Sequence, residues 1–469
     1  MDNRKPYQNR KSAPRRPRPN PAPPALPSPG RRAALEVLSA IEEQGTYVSM
    51  ALDAYFASHP LQQVEKRFCT NLTYITVENG IRLSYVLSCF LKDAQALNAK
   101  VYLILRMSLA QHLFMDKVPD SAVVDEAVKL TRYCGCEGLT GLVNAVLRRA
   151  IREYEGIAWP DKETESVRYL SVVSSTPEWL AGRLIEEYGM EAAEQICTYR
   201  GSHAITVRAN RLKYTDAEFE QKVLAKKVWQ TEKTPYPAWY VRGALDIGKD
   251  ADYRAGAFSI EGISSMLAAE AVQAKPAMQV LDCCAAPGGK TAYMAERMHG
   301  SGRIYAWDVH DHRVALIKAT AQRLGLENIR PMVRDASVLR EDLLDSMDAV
   351  LLDAPCTGIG VMDNKPDIKY KVTEAQVLEL TALQKKLLDT VCRYVKKGGT
   401  LVYSTCSLLK EENERQIAAF LSSHPDFHID PLPPAFGEAL LKHCGENGLQ
   451  ILPPRDHLDG FFIARMKRS

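Results

Sequence analysis

No apolar run in the 469-residue chain approaches the roughly 20 residues needed to cross a bilayer, so no membrane span is expected. No secretory leader is expected either: the N-terminus is charged and proline-rich, with no apolar stretch behind it. Metal-site spacing is absent among the eleven cysteines, an odd and scattered number. Cys134 and Cys136 form C-x-C, but no second Cys or His pair stands near them, which leaves two ordinary helix-end cysteines and no metal site. Thiols in a chain without a leader are expected to stay reduced, in a cytoplasm. Charge of one sign is also scarce overall, with a net of only +3. That balance hides a pattern. Residues 1–32 hold nine Lys/Arg and one acid, a balance of +8, so the remainder carries 3 − 8 = −5. A basic arm of this kind suits nucleic-acid phosphates, and it equally suits a solubilising leader.

Residues 1–30 contain nine prolines and few apolar side chains, and are expected to be disordered. From Arg31 to about Tyr154 the apolar positions recur at helical spacing. Ala34, Leu35, Val37, Leu38 and Ile41 form one stripe, and further stretches run Phe68–Val77, Leu83–Leu91, Val101–Phe114, Ala122–Leu130 and Leu139–Ile151. This predicts an all-α bundle. Residues 155–255 are mixed and predict a small α/β domain. A helix opens at Pro177-Glu178-Trp179-Leu180, with the proline in the first turn where its missing N–H costs nothing. Strands are expected at Ala204–Asn210 and Trp239–Arg242, with a helix at Asp216–Leu224.

From about Gly256 strands and helices alternate. Strands are expected at Gln279–Asp282, Arg303–Asp308, Ile329–Val333, Ala349–Asp353 and Thr400–Ser404, with helices at Thr291–Met298, Arg313–Leu324 and Ala375–Val395. Such alternation predicts a Rossmann-like, doubly wound parallel sheet. Leu449–Leu452 and Gly460–Met466 read as a closing hairpin.

Ligands of such sheets bind beyond the carboxyl ends of the strands. The first strand ends in Asp282-Cys283 and continues Cys284-Ala285-Ala286-Pro287-Gly288-Gly289-Lys290-Thr291, whose small residues allow close backbone approach. Gly289-Lys290-Thr291 copies the end of a phosphate-binding P-loop. That motif needs glycine where Cys284 stands, and Pro287 lacks an N–H, so a P-loop is excluded. Asp308, Asp335 and Asp353 each fall at or just after a strand end. Singly, each is an ordinary cap or turn residue. Together with the glycine loop they describe a nucleoside cofactor without phosphates, whose ribose diol and amine need carboxylate acceptors.

Cys356 follows the fourth strand in Asp353-Ala354-Pro355-Cys356, and Cys406 follows the fifth in Ser404-Thr405-Cys406-Ser407. A lone cysteine is usually a small buried hydrophobe, and the other nine read that way. Two at adjacent strand ends suit one chemistry: methylation of cytosine C5. A thiolate added to C6 makes C5 enamine-like, an acid serves N3, and a base later removes the C5 proton. Asp353 suits the acid role if it holds or shares a proton. Spacing does not say which cysteine attacks. Cys356 stands beside Asp353, whose carboxylate would raise its thiol pKa.

These residues resemble the RsmB (Sun) group of bacterial ribosomal RNA cytosine-C5 methyltransferases, from about Arg31 to the C-terminus. The matching segments are Tyr253–Ser259, Leu281–Thr291, Asp353–Gly358, Lys365–Tyr370, Tyr403–Ser407 with Glu411-Glu412-Asn413, and Asp459–Ala464. Asp125–Leu130 and Gly141–Arg149 resemble a NusB-type RNA-binding domain, and residues 165–255, including Val207–Asn210, resemble the family's RNA-recognition-like insert. The resemblance implies S-adenosylmethionine as cofactor and small-subunit (16S) ribosomal RNA as partner and substrate, with the protein a monomer. It implies Cys406 as nucleophile, Cys356 as the cysteine assisting release, and residues 284–290 around the methionine part of the cofactor. It further implies Asp308 at the ribose, Asp335 on the adenine side, Asp353 near the methyl group and base, and Arg313 on the cofactor side. Two departures stand out. Glu261-Gly262 replaces a frequent Gln-Asp pair, and Asp363-Asn364 replaces two basic residues, which removes positive charge beside the RNA path.

Two other functions compete: the same chemistry on transfer RNA, and a catalytically silent RNA-binding assembly factor. The NusB-like segment speaks against the first, and the complete set of Cys356, Cys406, Asp353 and the glycine loop against the second. Because phosphate contacts release counterions, RNA affinity is expected to fall steeply with salt. Deleting residues 1–30 should flatten that slope in filter-binding titrations while leaving folding intact. An unchanged slope and affinity would reduce the arm to a leader.

Overall fold

The computed structural model describes residues 26–93, 96–201, 204–243 and 247–469. The basic, proline-rich segment up to residue 25 lies outside the described residues. The described chain forms two compact units, one of residues 26–73 with 87–156, the other of 74–86 with 157–469. Among the described residues no helix is long and apolar enough to cross a membrane.

The first unit is helical, with helices at Pro29–Gln44, Val48–Ser58, Ala99–Phe114, Asp120–Tyr133 and Thr140–Glu153. In the first helix Ala34, Leu35, Val37 and Leu38 are buried, as the apolar stripe requires, and Ile41 lies half-buried at its margin. Asn98 starts the helix Ala99–Phe114 by accepting the Lys100 and Val101 N–H groups that have no partner within the helix.

The second unit begins with helices Ser166–Ser174, Glu178–Tyr188 and Met190–Thr198. Pro177 is the N-cap of the second of these, so the helix starts at Glu178, one residue later than the sequence reading placed it. A small antiparallel sheet follows, built from β1 (Ile205–Ala209), β2 (Gln230–Lys233), β3 (Trp239–Arg242) and β4 (Phe258–Ile260), in the order β2-β3-β1-β4. Since β4 pairs with β1 through Val207↔Ile260, the small sheet extends past residue 255, where the sequence suggested a boundary. The helix of this segment, Asp216–Lys222, opens on a capping box between Thr215 and Glu218.

The large sheet contains β5 (Gln279–Asp282), β6 (Arg303–Asp308), β7 (Ile329–Val333), β8 (Met347–Asp353), β9 (Val395–Thr405), β10 (Phe427–Ile429), β11 (Cys444–Gly445), β12 (Gly448–Ile451) and β13 (Phe461–Arg468). Its order is β11-β12-β13-β9-β8-β5-β6-β7, with β10 on β13. Pairings among β5–β9 are parallel. The closing hairpin extends this sheet, because β13 runs antiparallel to β9 with Ile463 opposite Ser404. Successive side chains point to opposite faces. Leu281, Val350, Leu352, Leu401 and Tyr403 pack with the helix Glu374–Val391 on one side, and Val280, Ala349, Leu351 and Val402 with the helix Ile263–Val272 on the other. Every residue of that helix except Ser265 is buried. The helix Glu374–Val391 stops earlier than the expected Val395, because Cys392–Tyr394 turn as a 3-10 helix and Val395 already enters β9.

A buried ion triad joins the small sheet to the large one. Arg208 of β1 is 2% exposed; its Nε donates to Glu261 Oε2 at 2.8 Å and its Nη1 to Glu296 Oε2 at 2.7 Å. Glu296 lies on the helix Gly289–Arg297 that opens at the glycine loop, and the Arg208 guanidinium stands 5.2 Å from the Tyr293 ring centroid. Removing one partner of a buried charge set leaves the others uncompensated, at a cost of about 3–5 kcal/mol. Arg208→Met should therefore lower unfolding stability by about that amount in denaturant titrations followed by tryptophan fluorescence. A loss below about 1 kcal/mol, the range of an exposed pair, would show the triad to be dispensable.

Candidate active site

The site is built where the parallel strands end. After β5 the chain turns inward: the Cys283 N–H donates to Leu351 O at 2.9 Å, and Ala285 N–H to Trp307 O at 2.8 Å, so the loop is stitched to β8 and β6. Gly288 has φ +104°, and a Cβ there would stand 3.3 Å from Ile317 Cα. Both the backbone angle and the close helix approach require glycine. Lys290 in the first turn of the following helix does not reach outward as a P-loop lysine would. Its ammonium lies 2.7 Å from Asp353 Oδ2, both side chains half-buried.

A cavity of about 510 Å³ opens at this edge, and its wall includes Cys284, Ala286, Asp308, Arg313, Asp335, Asp353, Cys356 and Cys406. Of the sequence-predicted residues, Ala285, Pro287, Gly288, Gly289 and Lys290 do not line it, and Pro287 is exposed. Asp308 is 3% exposed; its Oδ1 accepts the His310 N–H at 3.1 Å and its Oδ2 is 3.5 Å from Arg313 Nε. Asp335 is exposed and accepts the Ser337 N–H at 2.8 Å in a turn. Six wall residues escaped the sequence reading: Val309, Arg334, Ala336, Ser337, Leu383 and Leu387. Val309 is an exposed apolar residue directly after a strand-end acid. Leu383 and Leu387 are spaced i, i+4 on the helix Glu374–Val391. Leu383 is exposed and Leu387 buried, so the apolar residue directly after a strand-end acid was the available signal.

Asp353 accepts on both oxygens, from Lys290 Nζ and from Ser404 Oγ at 2.7 Å. Asp353 thus stands between a lysine ammonium and a serine hydroxyl at the edge of the cavity. Burial pushes the Asp282 carboxyl beneath the loop up to about 7, against the hydrogen bond from Thr291 Oγ1 at 2.6 Å and with nearby Asp353 adding to the rise.

The two cysteines meet, Cys356 Sγ standing 3.4 Å from Cys406 Sγ. The hydrogen bond between them holds the Cys406 thiol below its ordinary value, opposed by burial and by the Asp353 charge and helped by Lys290. The same bond is the leading cause that pushes Cys356 well above its ordinary value, with burial next. The Asp353 charge, which the sequence pointed to as the reason for a raised Cys356, acts on both thiols and is among the weaker influences on Cys356.

The two departures also find places. Glu261 serves the Arg208 triad, and a Cβ on Gly262 would stand 2.8 Å from Asp459 Oδ2. Asn364 Nδ2 donates to Asp459 Oδ1 at 2.8 Å, and burial, with Asp363 adding, pushes the Asp459 carboxyl up to about 6.

A nucleoside cofactor with an amine and a sulfonium fits this cavity. Its volume lies in the range of small-molecule sites, three carboxylates reach its wall, and the one lysine of the glycine loop is already neutralised rather than free for phosphate. A Rossmann-like sheet with this site defines an S-adenosylmethionine-dependent methyltransferase. Residues 269–467 match the family model described as 16S rRNA methyltransferase RsmB/F, and residues 28–152 match the NusB family. The chain is 37% identical over 446 residues to "Probable ribosomal RNA small subunit methyltransferase B" of Bacillus subtilis, covering 94% of this chain and 98% of that protein. A Synechocystis protein of the same description is 32% identical, over 94% of this chain and 99% of its own length. The chain belongs to the ribosomal RNA small subunit methyltransferase B family. Among solved structures, that of PH0851 is 26% identical with a TM-score of 0.77, over 95% of this chain and 99% of that one.

Hydrogen bonds to charged groups contribute roughly 1.5–3 kcal/mol, so Asp308→Ala should weaken S-adenosylmethionine binding about 10–100-fold in calorimetry. Unchanged affinity would remove Asp308 from the cofactor site.

Proposed function

We propose that this protein methylates C5 of a cytosine in small-subunit (16S) ribosomal RNA in the cytoplasm, through a covalent adduct on Cys406. The observation that carries this reading is the pair of thiols 3.4 Å apart on the wall of the cofactor cavity, one lowered and the other raised. The descriptions of the relatives support the choice of RNA. When bound, S-adenosylmethionine supplies an electrophilic methyl group on a sulfonium.

The residues divide the work. Cys406, with Lys290 nearby and the Cys356 S–H beside it, is the thiolate that adds to C6; the C5–C6 double bond opens toward C5 and N3. The Lys290–Asp353 pair holds a proton where negative charge grows on the base, Asp353 lying on the cavity wall with Lys290 paired to it. After C5 has taken the methyl group, a base removes the C5 proton with Cys356 assisting, and the C6–S bond breaks to return the Cys406 thiolate.

Asp308, Asp335 and Arg313 orient the nucleoside part of the cofactor. Residues 284–290 border its methionine part, with Cys284 and Ala286 on the cavity wall.

The two cysteines should therefore fail differently. Cys406→Ser replaces the thiolate with a hydroxyl that is barely ionised at neutral pH, so neither product nor adduct should form. Cys356→Ala should still attack and methylate, then stall, so that a covalent protein–RNA species accumulates on denaturing gels. Adducts trapped by Cys406→Ser and not by Cys356→Ala would make Cys356 the nucleophile.

A further inference from the structure

Glu412 is completely buried, and none of the arginine, lysine or histidine side chains among the described residues pairs with it. Four neutral donors surround its carboxylate. Oε1 accepts the Thr357 N–H at 2.9 Å and Gln384 Nε2 at 3.0 Å. Oε2 accepts the Thr357 hydroxyl at 2.6 Å and, in a short contact, the Ser407 hydroxyl. Those partners are not scattered. Thr357 directly follows Cys356, and Ser407 directly follows Cys406. Gln384 Nε2 also donates to Pro355 O at 2.9 Å, just before Cys356, and the Tyr403 hydroxyl holds the Glu412 carbonyl at 2.6 Å. A buried carboxylate without a cation is costly unless its lone pairs are filled, and here they are filled by the residues adjoining both thiols.

The geometry points to Glu412 as the positioning residue of this site: its carboxylate ties the turn after Cys356 to the turn after Cys406 and so sets the spacing of the two thiols. The inference rests on the reading of Cys406 as nucleophile and adds what holds its partner in place. The charged and titratable groups acting on Cys406 are Cys356, Asp353, Lys290 and Glu412. Glu412 acts on Cys406 in two opposing ways. Its negative charge disfavours the thiolate. Its clamp keeps the Cys356 S–H against the Cys406 sulfur and favours the thiolate, and the hydrogen bond is the larger influence.

Two substitutions separate these effects. Glu412→Gln removes the charge but keeps the clamp, since the Thr357 and Ser407 hydroxyls can accept from the new amide NH2. Glu412→Ala removes both. The rate of iodoacetamide alkylation at Cys406, followed against pH by peptide mass spectrometry on the full chain, should move to lower pH in Glu412→Gln and to higher pH in Glu412→Ala. A residue that merely supported the fold would contribute only its charge, and both variants would move to lower pH. Movement in one direction, or no movement, overturns the proposal.

Methylation should follow the same split. S-adenosylmethionine affinity should be unchanged, kcat for Glu412→Gln should stay within about tenfold, and kcat for Glu412→Ala should fall about 100-fold, as expected when reacting groups are misplaced by about 1 Å. Equal losses in the two variants overturn the proposal. If Glu412→Ala does not fold, Thr357→Val removes one tie and leaves the charge. Its alkylation profile should move to higher pH, and an unmoved profile counts against the clamp. Alkylation needs no RNA, so a wild-type protein that makes no 5-methylcytosine would overturn the functional reading while the profiles still test the clamp.

Discussion

The parallel register of β8 and β9 is the constraint on which the site depends. Asp353 stands opposite Ser404, and Leu352 opposite Tyr403. From that one pairing follow the Ser404–Asp353 hydrogen bond and the Ala354 N–H bond to Ser404 O. The Gly360 N–H bond to Cys406 O continues it, as does the meeting of two thiols fifty residues apart in sequence. A slip of one residue would turn Tyr403 and Leu352 out of the core and carry Ser404 away from Asp353, because side chains alternate faces along a strand. Gly360 and Gly460 enforce the next layer. A Cβ on Gly360 would collide with Gly460 O and crowd Cys406 O, so the turn after the nucleophile can approach its neighbours only as bare backbone.

Near the glycine loop, two cations each face more than one acidic group. Lys290 pairs with Asp353 and also feels Glu261 and Cys406. Arg208 answers Glu261 and Glu296. Glu261 thus stands between the small sheet and the glycine loop, and a Cβ on Gly289 would press on its carboxylate at 3.1 Å. The arrangement couples the small antiparallel sheet to the loop that borders the cofactor cavity. Glu412 differs from these acids: it is buried and satisfied by hydroxyls, an amide and a backbone N–H, and no cation among the described residues pairs with it. That difference is chemically useful, since a cation in its place would sit beside both thiols and erase the contrast between them.

Much of this was legible before any coordinates. Gln279–Asp282, Arg303–Asp308 and Ile329–Val333 were readable residue for residue as strands, because buried parallel strands are short apolar runs and these end at acids or loops. The acids at those ends, Asp308 and Asp353, and the two cysteines fall on one cavity, which follows from the rule that parallel strands present their carboxyl ends at one edge. The hairpin Leu449–Met466 was legible as a hairpin but not as an extension of the large sheet, since its partner β9 lies more than forty residues away. Arg208 and Glu412 carried no local mark of their roles. An arginine in a strand and a glutamate in an acidic run are ordinarily solvated, and only long-range packing removes them from water.

By itself, then, the order of residues determined the alternation of strands and helices, the glycine-rich loop, the acids at the strand ends and the presence of two candidate thiols, all of which are written in local periodicity and composition. The tertiary structure alone decided that Lys290 holds Asp353, that Glu412 bonds to the turns after both cysteines, and that the Cys356 and Cys406 sulfurs meet. The physical reason is that each of these depends on distance, burial and hydrogen-bond direction between residues 50 or more positions apart, as for Cys356 with Cys406 and Lys290 with Asp353. Acidity is set by those neighbours, and a sequence names the neighbours without saying which of them meet.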